Sequence, residues 1–380
     1  MREGTADPAT RDAIAIARVV CILGIVYVHA WTGVGGDVLN DPRSGQALLR
    51  WSLVELFGRS AVPLLTLVSG WLVAGSLRRP GGYRAFLPAK ARTLLAPMLI
   101  WNALSILLVS GAGALGLIEA PVPRTLWWLA DELFCLASPN DINVQTAFLR
   151  DLFLCMAAAP LLVRLPGAAL AAIAMLVLAW IGSGVQAVVL LRPQILLFFV
   201  GGIALARTGL PARLARLPVA VVLAPFAAVA GFNLWLDLQG HDFREAHRGL
   251  LALADVPVRV GGALCFWRLA NALARSRAAP RLLRLERYAF LLFCCHLILI
   301  WLAGPAIGRL TGPLGAPAWP AFLIAQPLLA LAATIALGRL LAAAAPRFAM
   351  LASGGRLGRT GRGDAPATLA RERACATPRP

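Results

Sequence analysis

Apolar runs of about 20 residues recur along the whole chain, and each is long enough for a helix to cross the hydrocarbon core of a bilayer. Hydrophobic residues make up 59% of the 380 residues, and the mean hydropathy is +0.75. This composition indicates an all-α, polytopic membrane protein. The hydropathy pattern predicts ten membrane-spanning helices, at residues 13–33, 51–77, 94–113, 145–164, 168–184, 194–207, 218–237, 250–273, 288–309 and 319–343.

The basic residues predict how these helices are oriented. If the N-terminus is cytoplasmic, the loops on the inner side carry most of the loop arginines, and the positive-inside rule then predicts that both termini lie in the cytoplasm. The net charge of +18 is spread over these inner loops. Because no compact basic domain is visible, we expect no nucleic-acid partner.

The chain is expected to contain one membrane domain. Its polar stretches are too short to form a separate soluble core. We expect a cytoplasmic N-terminal segment at residues 1–12 and the membrane domain at residues 13–345. Residues 346–380 are rich in Gly, Arg, Ala and Pro, and we expect them to form a disordered basic cytoplasmic tail.

Two ionisable residues, Arg18 and His29, lie within the first apolar segment. Their spacing of 11 residues brings both side chains to one face of a helix, about 16 Å apart along its axis. Ionisable groups inside a membrane are costly and usually face a cavity or a partner, so the pair is a candidate functional site. The alternative is that Arg18 extends to the inner interface and His29 to the outer one.

Other polar residues in the predicted helices have structural explanations as well. Glu55 and Arg59, at i and i+4, could form an ion pair. Arg150 and Asp151 point about 100° apart on a helix, so we expect them to pair with other helices and either to line a cavity or to lock two helices together.

The small residues of the second predicted helix favour packing over catalysis. Ser69 and Gly70 would allow a neighbouring helix to approach closely. A nucleophilic role for Ser69 is not expected, because no histidine lies near it in sequence. The sequence has no cysteine or histidine spacing that is typical of a metal site, so we expect no metal.

Five segments match one family in the same order along the chain. They are Arg18 to His29, Phe57 to Pro63 with Val68 to Leu72, Lys90 to Pro97 with Trp101 and Asn102, Phe148 to Phe153, and Glu286 to Phe290 leading to His296. Together they resemble the acyltransferase-3 family of integral membrane O-acyltransferases, over about residues 12–345. The chain differs at Leu65 and Thr66, where the family often has two phenylalanines, and at Ala147, where it commonly has tryptophan.

The resemblance implies an enzyme of the bacterial inner membrane that transfers an acetyl group from cytoplasmic acetyl-CoA to a hydroxyl of a sugar, glycan or lipid-linked carbohydrate. His29 would be the general base, and Arg18 would contact the donor. His296 matches a family position, although a hydrogen-bonded core histidine is an equal alternative. Further donor-binding candidates are the basic residues of the first inner loop, Arg78, Arg79, Lys90 and Arg92.

A transporter or flippase for an anionic small molecule is the alternative function. In that case Arg18 and His29 would bind the anion and relay protons. The Arg-x10-His arrangement occurs once in the sequence, and nothing suggests the inverted repeats that are common in secondary transporters. The sequence therefore favours the enzyme.

Overall fold

A computed structural model describes residues 8–33, 44–77 and 82–357 of the chain. Within these ranges the protein is built from helices and contains no strand. The helices are α1 (Pro8–Val28), α2 (Gly45–Ser76), α3 (Tyr83–Ala114), α4 (Leu126–Phe134), α5 (Val144–Leu162), α6 (Gly167–Ser183), α7 (Pro193–Leu205), α8 (Leu210–Leu214), α9 (Val219–Asp237), α10 (His241–Ala246), α11 (Arg248–Ala274), α12 (Ala279–Thr311), α13 (Trp319–Ala344) and α14 (Pro346–Ala352). Short π-helical turns interrupt α2 and α3.

A helix covers most of each of the ten segments that were predicted to span the membrane. In the described part of the chain, seven helices are long and apolar enough to do so by length and composition: α2, α3, α5, α9, α11, α12 and α13. Helices α6 and α7 are shorter, with 17 and 13 residues. The prediction of an all-α polytopic bundle is confirmed, whereas ten crossings and cytoplasmic termini remain predictions.

Helix α1 lies at the centre of the bundle. It packs against α2, α11, α12 and α13, and its buried residues from Ala13 to Val26 lie on every side of the helix. A helix that is apolar all round is one that other helices enclose. Arg18 is therefore a charged group on a central helix.

Helices α1 and α12 run parallel to each other. Arg18 pairs with Glu286, the His29 ring packs on the His296 ring, and Gly33 lies against Pro305. Because these contacts follow the same order along both segments, the two helices point in the same direction. That direction agrees with the predicted topology, in which they are the first and ninth spans.

Two glycines allow α2 and α7 to cross in close contact. A Cβ atom added to Gly70 would lie 2.1 Å from the backbone oxygen of Phe199, and one added to Gly202 would lie 2.1 Å from that of Leu67. Small residues are a common way for membrane helices to approach each other. The close packing that Ser69 and Gly70 predicted is confirmed.

The ends of the membrane domain differ from the expected boundaries. Helix α1 begins at Pro8 and ends at Val28, so His29 lies in the turn that follows it. At the other end, α14 packs on α3, where the indole Nε1 of Trp101 donates to the backbone oxygen of Ala352 at 2.9 Å. The expectation of disorder from residue 346 is therefore wrong for residues 346–357, while residues 358–380 lie outside the described part of the chain.

We expect the Gly202→Ala substitution to destabilise the protein by about 1–3 kcal/mol, because the added methyl group would meet backbone that cannot move without separating α2 from α7. Thermal unfolding of the protein in nanodiscs measures this. Gly231→Ala is the matched control, since Gly231 lies within α9 and its added Cβ meets no atom within 4 Å. Equal melting temperatures for the two variants would contradict the close crossing.

Candidate active site

One stripe of α1 lines two cavities. Ile14, Arg18 and Ile22 lie on the wall of the first, and Ile25 and His29 on the wall of the second. The spacings of three and four residues place the first four on one face of α1, and His29 follows in the turn after the helix. We call these spaces the Arg18 cavity and the His29 cavity.

The Arg18 cavity has a volume of about 160 Å³ and a positive lining. Arg18, Lys90 and Arg356 contribute cationic groups, and Glu286 contributes one carboxylate. The Arg18 Nη1 atom lies 3.2 Å from Glu286 Oε1, and about a third of each side chain remains exposed. Since the cations outnumber the carboxylate, the cavity suits an anionic ligand.

The predicted donor-binding residues separate in the structure. Lys90 lines the Arg18 cavity, and its ammonium group lies 5.3 Å from the centre of the Phe86 ring. Arg92 is exposed and does not line either cavity. Arg78 and Arg79 lie outside the described residues, so their predicted role stays a prediction.

Ser69 also lines the Arg18 cavity, but its hydroxyl donates to the backbone oxygen of Leu65 at 2.8 Å. No histidine lines this cavity in the described part of the chain, so Ser69 lacks the histidine of a Ser–His pair. Its environment agrees with a packing role.

The His29 cavity is larger, about 500 Å³, and its polar groups differ from those of the Arg18 cavity. His29 lines it together with Arg59, Gln145 and Arg192. A titratable imidazole, an amide and guanidinium groups therefore face one space, which is an arrangement that can bind a hydroxyl-rich molecule and move a proton.

The second histidine lies behind the first. The ring centres of His29 and His296 are 5.3 Å apart, and His296 is fully buried. Its Nδ1 atom lies 2.9 Å from the backbone oxygen of Leu292 and 3.0 Å from that of Phe293. Because both neighbours are acceptors, Nδ1 carries the proton and Nε2 keeps its lone pair. No group in the described part of the chain bonds Nε2.

Asp151 holds the loop that brings Arg192 to the His29 cavity. Its carboxylate accepts the backbone amide of Arg192 at 2.9 Å and that of Leu191 at 3.3 Å. It also pairs with Arg150 at 2.7 Å. We expected Arg150 and Asp151 to bond groups elsewhere in the chain rather than each other. Both do so, since Arg150 also donates to the backbone oxygens of Val188 and Val189. They pair with each other as well, because the long arginine side chain reaches back across the angle between their Cβ atoms.

An ion-pair network also borders the His29 cavity. Arg59 lies 3.4 Å from Glu55, as the i,i+4 spacing predicted. Glu55 also pairs with Arg259 at 3.2 Å, and Arg259 pairs with Asp255 at 2.7 Å. Arg59, Asp255 and Arg259 line the His29 cavity.

Gln145 presents an unsatisfied acceptor beside the His29 cavity. Its Nε2 atom donates to Asn143 Oδ1 at 2.5 Å and to the backbone oxygen of Phe293 at 3.2 Å. Its Oε1 atom is buried and has no partner among the described residues, although Gln145 lines the His29 cavity. A buried acceptor without a donor is costly, so this oxygen is a candidate contact for a bound hydroxyl.

The loop before Gln145 is fixed by side chains of α3 and α4. The Oδ1 atom of Asn102 accepts from Thr146 Oγ1 at 2.8 Å and from Asn143 Nδ2 at 3.2 Å. Glu132 accepts the backbone amides of Asp141 and Ile142 at 2.7 Å and 3.0 Å. These bonds set the position of Gln145 in the cavity wall.

The sequence also matches known proteins. The model of the acyltransferase-3 family, described as an acyltransferase domain, matches residues 11–341. The chain belongs to this family. It is 28% identical to the succinoglycan biosynthesis protein ExoH of Rhizobium meliloti (strain 1021), and the match covers 93% of this chain and 94% of the relative. No solved structure matches it.

Membership of the acyltransferase-3 family makes the protein an integral membrane acyltransferase. The resemblance that the sequence motifs suggested is confirmed. Two of the departures from the family pattern fall on cavity walls, since Leu65 lines the Arg18 cavity and Thr66 lines the His29 cavity. Ala147 is buried and lines neither cavity.

The sequence did not reveal several charged and polar residues that line the two cavities, namely Glu286, Arg356, Gln145, Arg192 and Arg259. Glu286 lies in a segment that matched the family, and an acidic residue near the inner end of a span was a usable signal for a partner of Arg18. No local sequence pattern indicated that Arg192 and Gln145 line a cavity. Both lie in or beside loops whose positions are set by residues that are distant in the sequence.

We expect Asp151→Ala to destabilise the acyltransferase by about 3–5 kcal/mol, because it leaves the partly buried charge of Arg150 and two backbone amides without their acceptor. Thermal unfolding measures the loss. Asp242→Ala is the control, since the Asp242 side chain is fully exposed, and it should change the stability by less than about 0.5 kcal/mol. A melting temperature unchanged by Asp151→Ala would show that Asp151 does not hold the Arg192 loop.

Proposed function

We propose that this acyltransferase transfers an acetyl group from acetyl-CoA, bound at the Arg18 cavity from the cytoplasm, to a hydroxyl of a carbohydrate in the His29 cavity. The observation that carries the proposal is the division of one helix face between a positive cavity and a histidine cavity. We place the enzyme in the inner membrane of a bacterium. The acceptor is a sugar, a glycan or a lipid-linked carbohydrate.

The charges of the Arg18 cavity support an anionic donor. Coenzyme A carries several phosphate groups, and guanidinium groups bind phosphate oxygens through two parallel hydrogen bonds. Arg18, Lys90 and Arg356 offer such cationic contacts around one opening. The ion pair with Glu286 holds Arg18 in the cavity wall, since the Arg18 guanidinium lies 3.2 Å from that carboxylate.

The polar lining of the His29 cavity supports a carbohydrate acceptor. The unpartnered Oε1 atom of Gln145 can accept a hydrogen bond from a sugar hydroxyl. The guanidinium groups of Arg59 and Arg192 can donate to other oxygens of the same molecule. The name of the relative, a succinoglycan biosynthesis protein, agrees with an acceptor of this class.

The chemistry needs one base and one group that stabilises negative charge. His29 takes the proton of the acceptor hydroxyl while its oxygen attacks the thioester carbonyl carbon. Arg192, which lines the same cavity, has guanidinium hydrogens for the oxyanion that forms. The carbon–sulfur bond then breaks, and the coenzyme A thiolate takes the proton from His29. The products are an ester and a free thiol, and His29 returns to its neutral form.

His296 is the positioning residue for His29 in this scheme. Its backbone hydrogen bonds fix its ring, and that ring packs on His29 without lining the cavity. It therefore limits the orientations of the His29 imidazole and does not contact the acceptor. No metal is needed in any of these steps.

We expect His29→Ala to lower acyl transfer by about 10²- to 10⁴-fold, which is the usual contribution of a general base. The binding of acetyl-CoA should remain, because His29 does not line the Arg18 cavity. Transfer is measured with labelled acetyl-CoA, protein in nanodiscs, and the polysaccharide and lipid-linked glycan fractions of the source organism. Calorimetry measures acetyl-CoA binding.

His241→Ala is the matched control, because the His241 side chain is 82% exposed and lies outside both cavities. Transfer at the wild-type rate by His29→Ala would contradict the role of His29. If the folded wild-type protein bound no acyl-CoA but moved an anion across the membrane, the transporter interpretation would replace this proposal.

A further inference from the structure

The Arg18 cavity and the His29 cavity meet at one pair of aromatic rings. Phe148 of α5 and Phe293 of α12 line both cavities, and no other residue in the described part of the chain does. Their ring centres lie 5.8 Å apart, with an angle of 64° between the ring planes. These two phenyl rings therefore border both spaces and form part of the wall between them.

The ring of Phe293 is part of a longer row of aromatic groups. It stacks on Phe290 with ring centres 6.3 Å apart, and the Arg356 guanidinium lies 4.0 Å from the centre of the Phe290 ring. On its other side it lies 6.5 Å from His296, whose ring packs on His29. The pair thus lies between the cations of one cavity and the histidines of the other.

The two halves of the proposed reaction lie on opposite sides of this pair. The donor phosphates would be held near Arg18, whereas the hydroxyl proton is removed at His29, about 16 Å further along the helix. The thioester carbonyl must reach His29 while the phosphates stay behind. The two cavities share lining residues only at Phe148 and Phe293 in the described part of the chain, so the shortest route between them passes these two rings.

We propose that the acyl group passes between Phe148 and Phe293, and that this aromatic pair sets the largest acyl group that the enzyme transfers. The inference rests on the proposed function, and it adds two specificity-determining residues to it. Both rings are buried, with exposed fractions of 5% and 3%, and they fill the passage. A two-carbon acyl group needs a small displacement of the rings, while each further methylene needs a larger one.

The test measures kcat/KM for hexanoyl-CoA relative to acetyl-CoA in the transfer assay. Phe148→Ala and Phe293→Ala each remove one ring, so the ratio should rise at least about tenfold, which is the size of effect that one methylene has in a closed apolar pocket. Phe148→Leu keeps most of the apolar volume and should give an intermediate rise. It also serves as the second variant if an alanine variant does not fold by thermal-shift criteria.

Phe266→Ala is the matched control. Phe266 is buried and also pairs with another phenylalanine, Phe57, at 4.9 Å between ring centres, but it lines neither cavity. Its ratio should equal that of the wild-type enzyme. An unchanged ratio in folded Phe148 and Phe293 variants would overturn the proposal, as would an equal rise in Phe266→Ala.

A second readout does not depend on acyl transfer. Ser69 lines the Arg18 cavity and Val62 lines the His29 cavity. The variants Ser69→Cys and Val62→Cys therefore each place a thiol in one cavity. Labelling is measured above the background of the native cysteines. A membrane-impermeant thiol reagent should label the two introduced cysteines from opposite faces of a vesicle. When Phe148→Ala is added to either variant, the reagent should reach the introduced cysteine from both faces. Labelling unchanged by Phe148→Ala would reject the passage. A wild-type protein that transfers no acyl group would reject the proposed function instead.

Discussion

The charge of Arg18, held on a helix that other helices enclose, is the constraint on which the rest of the structure depends. An unpaired guanidinium inside a membrane protein is costly. Glu286 supplies the partner at 3.2 Å, and this contact fixes the register of α1 against α12. The same register brings His29 against His296 and, further along both segments, Gly33 against Pro305.

Periodicity and spacing predicted the parts of this structure that depend on one helix. The 11-residue spacing placed Arg18 and His29 on one face, and the i,i+4 spacing predicted the pair of Glu55 and Arg59. The Ser69–Gly70 sequence predicted a close helix crossing. Each of these follows from helix geometry alone, and the number of apolar runs gave the class of fold.

The other parts depend on which helices meet, and no local pattern contains that information. Glu286 reaches Arg18 from 268 positions away along the chain, and Asp151 holds the amide of Arg192 across 41 positions. The bond between Arg150 and Asp151 themselves was not expected, because the directions of the Cβ atoms do not account for the reach of an arginine side chain. The ordered segment at residues 346–357 was missed because its composition resembles that of a disordered tail, although Leu357 is buried against the bundle.

The central claim is that donor and acceptor occupy two cavities on one face of α1. A structure of the protein in nanodiscs with a non-hydrolysable thioether analogue of acetyl-CoA tests it most directly. The account predicts that the phosphate groups contact Arg18 or Lys90 and that the acyl carbon lies within the His29 cavity. An analogue bound with its acyl carbon away from His29, or bound without contact to either cavity, would contradict it.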